Sequence, residues 1–258
     1  MIILKSLADI QEFKKTTVGP RSLGFVPTMG ALHQGHMELL KKAKAENDFS
    51  VLSIYVNPTQ FNQATDFDNY PQTLDQDLKS AQEVGTTAVF LPSYDLIYPD
   101  KYQFRIIAPE LTDLMDGQFR PGHFDGVMTV VCKLFRLIEP TKSYFGEKDY
   151  QQFLIVKKMA EAFYLKTHVI PVPTVREKSG LAMSSRNTRL SDSGKTKAAA
   201  IYKALNDFKS TGEARAFLES RGFKVEYIEE HFSRRFAAAW IEGVRLIDNI
   251  PWKGARDQ

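Results

Sequence analysis

"GFVPTMGALHQGHMELLKKA" (residues 24–43) starts as an apolar run, turns through Gly30 and Gly35, and ends as a helical repeat. Residues 22–27, short and uncharged past Ser22, read as a buried strand. Residues 33–47 read as an amphipathic helix, with Met37, Leu40 and Lys44 at helical spacing. Two histidines, His33 and His36, stand where strand gives way to helix. A metal site, a phosphate site and plain helix capping would each use them differently.

The same alternation continues along the chain. Residues 49–57 and 86–92 read as strands, separated by a helix over 73–85 that opens at Thr73 with acidic residues and stops at Gly85. Helices over 109–116 and 125–138 lead to a strand at 142–146, a helix at 149–163 and a strand at 166–174. Strands alternating with helices predict a doubly wound parallel α/β sheet over 1–174. Beyond Thr174 the chain turns polar and loop-rich. A helix near 195–209 and strand-like runs at 223–228, 236–241 and 244–248 then predict a smaller α+β domain over 175–258.

Composition narrows the class. With 258 residues, 43% hydrophobic, the chain can bury a sizeable core. Its formal net charge is +3, with Lys and Arg interleaved among Asp and Glu, which argues for no nucleic-acid partner. Cys132, the one cysteine, lies in an apolar run and reads as a buried, inert thiol. Asp9 and Glu12 interrupt the N-terminal apolar stretch too soon for a signal peptide, and no run approaches membrane-spanning length. A cytoplasmic protein with no membrane partner is expected.

Four segments carry chemistry. In doubly wound sheets, ligands bind beyond the carboxyl ends of the strands, where helix N-termini favour anions. His33 and His36 fall at such a place, and imidazole donors there suit a phosphate or a departing pyrophosphate. A zinc site would want a third ligand, and none has the right spacing. In "GLAMSSRNTRL" (180–190), Ser184, Ser185 and Arg186 could clamp phosphate, or the stretch could be a plain surface loop. In "FGEKDYQQ" (145–152), Lys148 offers a point charge, Asp149 an N-cap, and Gln152 a polar group in the first helical turn. The long polar segment 57–77 reads as a lid holding Gln60, a hydrogen-bonding group for substrate. Its Asp77 suits either Mg2+ or a helix N-terminus.

Taken in order, "VPTMGALHQGH", "SIYVNPTQF", "YPQTLDQD", "RPGHFDGV", "FGEKDYQQ", "PVPTVRE", "GLAMSSRN" and "AAAWIEGVRLIDN" resemble the pantoate–β-alanine ligase family. The resemblance implies a Rossmann-like fold of the nucleotidylyltransferase type and an AMP-forming ligation of pantoate to β-alanine through pantoyl adenylate. ATP and Mg2+ would take part, and the protein would form a homodimer. It also implies roles: His33, His36, Lys148 and Arg186 in catalysis, with Ser184 and Ser185 also on the phosphates. Pro27, Met29, Gly30, Gly146, Asp149, Val175 and Met183 would line the nucleotide site. Pro27, Met29, Gln60, Phe61 and Gln152 would hold pantoate, and Asp77 would face the metal.

Three departures accompany the resemblance: Gln72 stands where the family often has Arg, Gln76 adjoins Asp77 where an acidic pair is sometimes found, and the C-terminal domain is short for the family. A rival reading is another nucleotidyl transferase with a phosphate-bearing acceptor, which would call for more cations around Gln60 and Gln152. A second is a catalytically inactive nucleotide-binding or RNA-contacting module, against which intact His33, His36, Lys148 and the Ser184–Arg186 loop stand.

Overall fold

The computed structural model describes residues 1–253 and divides into two compact units. The first takes Met1–Gly146 and Gln151–Val172; the second takes Glu147–Tyr150 and the chain from Pro173 onward. Residues 147–150, expected with the first domain, thus group with the second.

The first unit is built on a parallel sheet ordered β1-β4-β3-β2-β5-β6. Its strands are β1 (Ile2–Leu4), β2 (Leu23–Thr28), β3 (Phe49–Ile54), β4 (Ala88–Phe90), β5 (Lys142–Gly146) and β6 (His168–Val172). Phe25 and Val26 of β2, like Val51 and Leu52 of β3, are wholly buried, as expected when both faces of a parallel sheet are covered. The Gln34–Glu46 helix lays Leu39, Leu40 and Ala43 into a core with Val26, Leu52, Val89 and Tyr144.

From β2 the chain builds outward through β3 to β4, then crosses back through the His123–Ile138 helix to place β5 on the other side of β2. The reversal of strand order therefore lies between β2 and β5. Their carboxyl ends, Thr28 and Gly146, mark the crevice where such sheets bind ligands.

The second unit holds an antiparallel sheet, β7 (Lys224–His231), β8 (Arg234–Ile241) and β9 (Val244–Pro251). Its strands are joined by tight turns whose central residues, Phe232–Ser233 and Glu242–Gly243, all have positive φ. Helices Asp192–Ala198, Ala200–Asp207 and Thr211–Glu219 accompany it, and Ile201, Leu205, Leu218, Ala237, Ala239 and Leu246 share its core. Arg235 is fully buried, yet it pairs with Glu230 at 2.6 Å and donates to the carbonyls of Leu205 and Lys209.

Several elements differ from expectation. β1 and the Thr211–Glu219 helix were not foreseen: the first is three residues long, and the second is specified by a capping box of Ser210 and Glu213 rather than by a long apolar stripe. The helix expected over 109–116 is two short turns, Pro109–Thr112 and Asp116–Phe119, interrupted by Met115 at φ +45°.

A polar tie fixes the Gln34–Glu46 helix to β5. Glu46 pairs with Lys42 at 2.9 Å and Lys142 at 3.2 Å, and accepts from the Tyr144 hydroxyl at 3.0 Å. The Lys42 hydrogen bond, with those of Lys142 and Tyr144, holds the Glu46 carboxyl down at about 2 against an ordinary 4.5. A carboxyl depressed in the folded state adds stability above its unfolded value and loses it as pH falls toward the folded one. Wild type should therefore lose thermal stability more steeply than Glu46→Gln between pH 4.5 and about 2, by a modest margin that salt reduces. Parallel melting curves of the two proteins across that range would refute the tie.

Candidate active site

At the end of β2 the buried run opens: Pro27, Thr28 and Met29 are half-exposed, and the chain enters a turn with positive φ at Gly30 (+83°) and Ala31 (+50°). A side chain at Gly30 would be strained by that φ, and its Cβ would lie 3.0 Å from Asp77 Oδ2. Asp77 explains the turn. Its carboxylate accepts the backbone N–H of Ala31 at 2.9 Å, that of Leu32 at 2.8 Å and the Thr73 hydroxyl at 3.2 Å. It is 2% exposed and sits in the first turn of the Leu74–Val84 helix, where a negative charge is favoured.

Of the two roles expected for Asp77, facing Mg2+ or sitting at a helix N-terminus, the structure displays the second, with the carboxylate turned onto the Gly30–Leu32 turn. Both its oxygens accept backbone donors in a buried position.

The fixed turn delivers the histidines. His33 is the N-cap of the Gln34–Glu46 helix: its Nδ1 accepts the Gly35 N–H at 3.1 Å, and His36 Nδ1 accepts the His33 N–H at 3.3 Å. This is a capping box written with two imidazoles, whose rings lie 4.0 Å apart between centroids. An Nδ1 that accepts leaves the ring proton on Nε2. Capping and phosphate recognition are therefore compatible, because the cap sets the tautomer and turns each imidazole into an N–H donor beside a helix N-terminus.

Gln60 is oriented by a second network. Asn57, 1% exposed, donates from Nδ2 to Gln60 Oε1 at 3.0 Å, while its Oδ1 accepts from the Tyr98 hydroxyl at 2.8 Å and the Thr59 hydroxyl at 3.0 Å. Burial pushes the Tyr98 phenol up, so it remains a donor. With Oε1 occupied, the Gln60 amide offers its N–H groups, which suit a carboxylate or hydroxyl oxygen. The backbone is held too: the Gln60 carbonyl lies 2.7 Å from His123 Nδ1 and 3.5 Å from an Arg120 guanidinium nitrogen. The His123–Ile138 helix approaches so closely that a Cβ at Gly126 would meet the Thr59 carbonyl oxygen at 2.4 Å.

Phe61 packs edge-on against Phe67 and Tyr70. Of the two adjacent glutamines, buried Gln151 pins the 111–116 turns, accepting the Asp116 N–H and donating to Leu111 and Leu114 carbonyls. Gln152, the next residue, is half-exposed.

In the second unit, Lys148 Nζ lies 3.4 Å from Asp149 Oδ1, on a short helical turn that follows Gly146. Residues 175–183, read as loop, close as a hairpin: Arg176 bridges Ala182, and the Met183 N–H donates to the Val175 carbonyl at 2.9 Å. The hairpin runs into Ser184, whose hydroxyl accepts the Arg186 N–H and caps the Ser185–Arg189 turn. Asn57, Tyr98, Arg120 and His123 were not picked out by sequence reasoning. Asn57, Arg120 and His123 lie inside "SIYVNPTQF" and "RPGHFDGV", so their signal was the motif itself.

A family model described as pantoate-beta-alanine ligase matches residues 2–251. The chain is 50% identical to the pantothenate synthetase of Bdellovibrio bacteriovorus over 248 residues, 96% of this chain and 98% of that one. It is 46% identical to the Coxiella burnetii enzyme of the same name, over 97% of this chain and 96% of the relative. The crystal structure of the Francisella tularensis pantoate-beta-alanine ligase, complexed with beta-gamma ATP and beta-alanine, superposes with TM-score 0.93 at 41% identity, covering 97% of both chains. These matches run over nearly the whole of each chain, the second unit included.

If Asp77 is a clamp, Asp77→Asn should lower unfolding free energy by roughly 1–3 kcal/mol, since an amide group would face a backbone donor. That loss should be the same with and without millimolar Mg2+. A wild type that Mg2+ alone stabilises, and a variant that loses this response, would restore the metal role.

Proposed function

Because the chain belongs to the pantoate-beta-alanine ligase family, we propose that it joins pantoate to β-alanine, with ATP as the activating substrate, through a pantoyl adenylate. A pantoate carboxylate oxygen attacks the α-phosphorus of ATP. The bond from that phosphorus to the bridging oxygen breaks, and pyrophosphate leaves with the electron pair. The β-alanine amine then attacks the acyl carbon and loses a proton, and AMP departs as the amide forms. No side-chain nucleophile is required.

The observation that carries this reading is the imidazole capping box. It supplies two N–H donors already oriented at a helix N-terminus, which suits charge growing on a leaving pyrophosphate. His33 and His36 act on the phosphates, with Pro27, Met29, Gly30 and Gly146 along the nucleotide. Gln60 and Gln152 hold pantoate's oxygens, with Pro27, Met29 and Phe61 on its apolar side. Support for Gln60 comes from its amide, turned by Asn57 to donate. Lys148, Ser184, Ser185 and Arg186 supply the remaining phosphate contacts, with Asp149 on the ribose and Val175 and Met183 beside the nucleotide.

Mg2+ would enter with ATP, carried by the phosphates themselves. A homodimer and a cytoplasmic location, where ATP is supplied, belong to the same proposal. No helix among the described residues is long and apolar enough to cross a membrane.

The direct experiment measures pyrophosphate release from ATP with pantoate, without and then with β-alanine. A single-turnover burst is expected in the first case and steady turnover in the second. Release that ignores pantoate would refute the ligase. His36→Ala should slow adenylation by on the order of 10²-fold or more, as for loss of one charge-stabilising donor. His36→Gln, which can still accept the His33 N–H, separates capping from catalysis: full activity there would reduce His36 to a cap. Gln152→Ala should chiefly raise the pantoate KM, and a change confined to ATP would contradict its assignment.

A further inference from the structure

β9 carries two adjacent buried polar residues, Asp248 and Asn249, that the mechanism above does not use; they are 4% and 1% exposed. Asn249 donates from one amide nitrogen to two successive carbonyls, those of Glu147 and Lys148, both at 2.9 Å. Its Oδ1 accepts from Arg234 Nε, and Arg234 stacks over Tyr150 at 4.3 Å while reaching Glu147 at 3.5 Å.

Asp248 takes a forked pair from Arg176, at 2.6 and 2.9 Å, and accepts the Asn249 N–H at 2.8 Å. Arg176 also donates to the carbonyls of Gly180 at 3.1 Å and Asn249 at 3.2 Å, and its guanidinium packs on the Tyr202 ring at 4.1 Å. Two segments are therefore fastened to one point of one strand. One is the turn carrying Lys148; the other is the hairpin that runs into Ser184, Ser185 and Arg186.

We propose that Asp248 and Asn249 are positioning residues for nucleotide activation: Asn249 fixes the Lys148 turn, Asp248 fixes the hairpin through Arg176, and together they set the spacing of the two cationic phosphate-binding segments. The proposal rests on the phosphate roles given to those segments above.

The chemistry of the anchor supports this. An ion pair this buried is a weak device for stability, because apolar groups of the same volume often serve as well. What a planar fork on a carboxylate supplies is geometry. Burial pushes the Asp248 carboxyl up, whereas Arg176, the Asn249 N–H and the charge of Lys148 oppose that rise. The Lys148 ammonium therefore lies within electrostatic reach of the anchor as well as being tied to it through its backbone. Phosphoryl-transfer chemistry depends on such placement, since small displacements of a binding group are costly in rate.

A double-mutant cycle tests the coupling. Pyrophosphate release and ATP KM are measured on the full chain for wild type, Asn249→Ala, Lys148→Ala and the double variant. Asn249→Ala should reduce kcat/KM for ATP by about tenfold while leaving the pantoate KM unchanged, and should add less than about threefold once Lys148 is gone. Losses that multiply independently would overturn the proposal. Should Asn249→Ala fail to fold, Arg176→Lys keeps the charge and removes the fork. It should raise the ATP KM selectively, and an equal change for both substrates would overturn the role. A wild type without pantoate-dependent pyrophosphate release strikes the proposed function itself, whereas an active wild type with independent losses strikes only the positioning.

Discussion

The carboxylate of Asp77, gripping the amides of Ala31 and Leu32, is the constraint on which the first unit's site depends. The end of β2 must turn sharply to start a helix, and it does so through two residues of positive φ, one of them an alanine. Such a backbone persists only where its surroundings over-determine it. A buried carboxylate with two N–H partners does that, and Gly30 leaves room for it. Were the turn to relax, the N-cap would move, and the imidazole orientation with it.

From this follows a division of labour. His33, His36, Gln60, Gln152, Lys148 and the Ser184–Arg186 segment are all half-buried, whereas the groups that hold the turn, Gln60 and Lys148 in place, Asp77, Asn57 and Asn249, are almost wholly buried. The buried member spends its hydrogen-bonding capacity on backbone groups and neighbouring side chains, which removes rotational freedom. The half-buried member is the one to which the proposed function gives a ligand. Asn57 shows the logic: by occupying Gln60 Oε1 it decides which end of that amide is left to bind.

Much of this was legible in the sequence. The strand–turn–helix of 24–43, the strands at 49 and 142 and the change of character after Thr174 rest on periodicity, which survives folding because both sheet faces and the helix stripes are buried. β1 was not legible, since three residues cannot display a period. The Thr211–Glu219 helix depends on a capping box in a polar stretch. Asp77 was ambiguous for a deeper reason. A carboxylate near a helix N-terminus looks alike whether it faces a cation or the amides of a turn 45 residues away, and only the tertiary fold supplies those amides.

The same reasoning separates the two kinds of polar motif. The capping within "HQGH" is local, completed within four residues. "NPTQF" and "RLIDN" act over long separations: Asn57 reaches Tyr98 and Gly126, and Asn249 reaches Glu147 and Lys148. A motif whose partners lie within one helical turn can be given a mechanism from its spacing. A motif whose partners lie across a sheet can be noticed as a pattern, but its chemistry exists only once the strands bring donor and acceptor together.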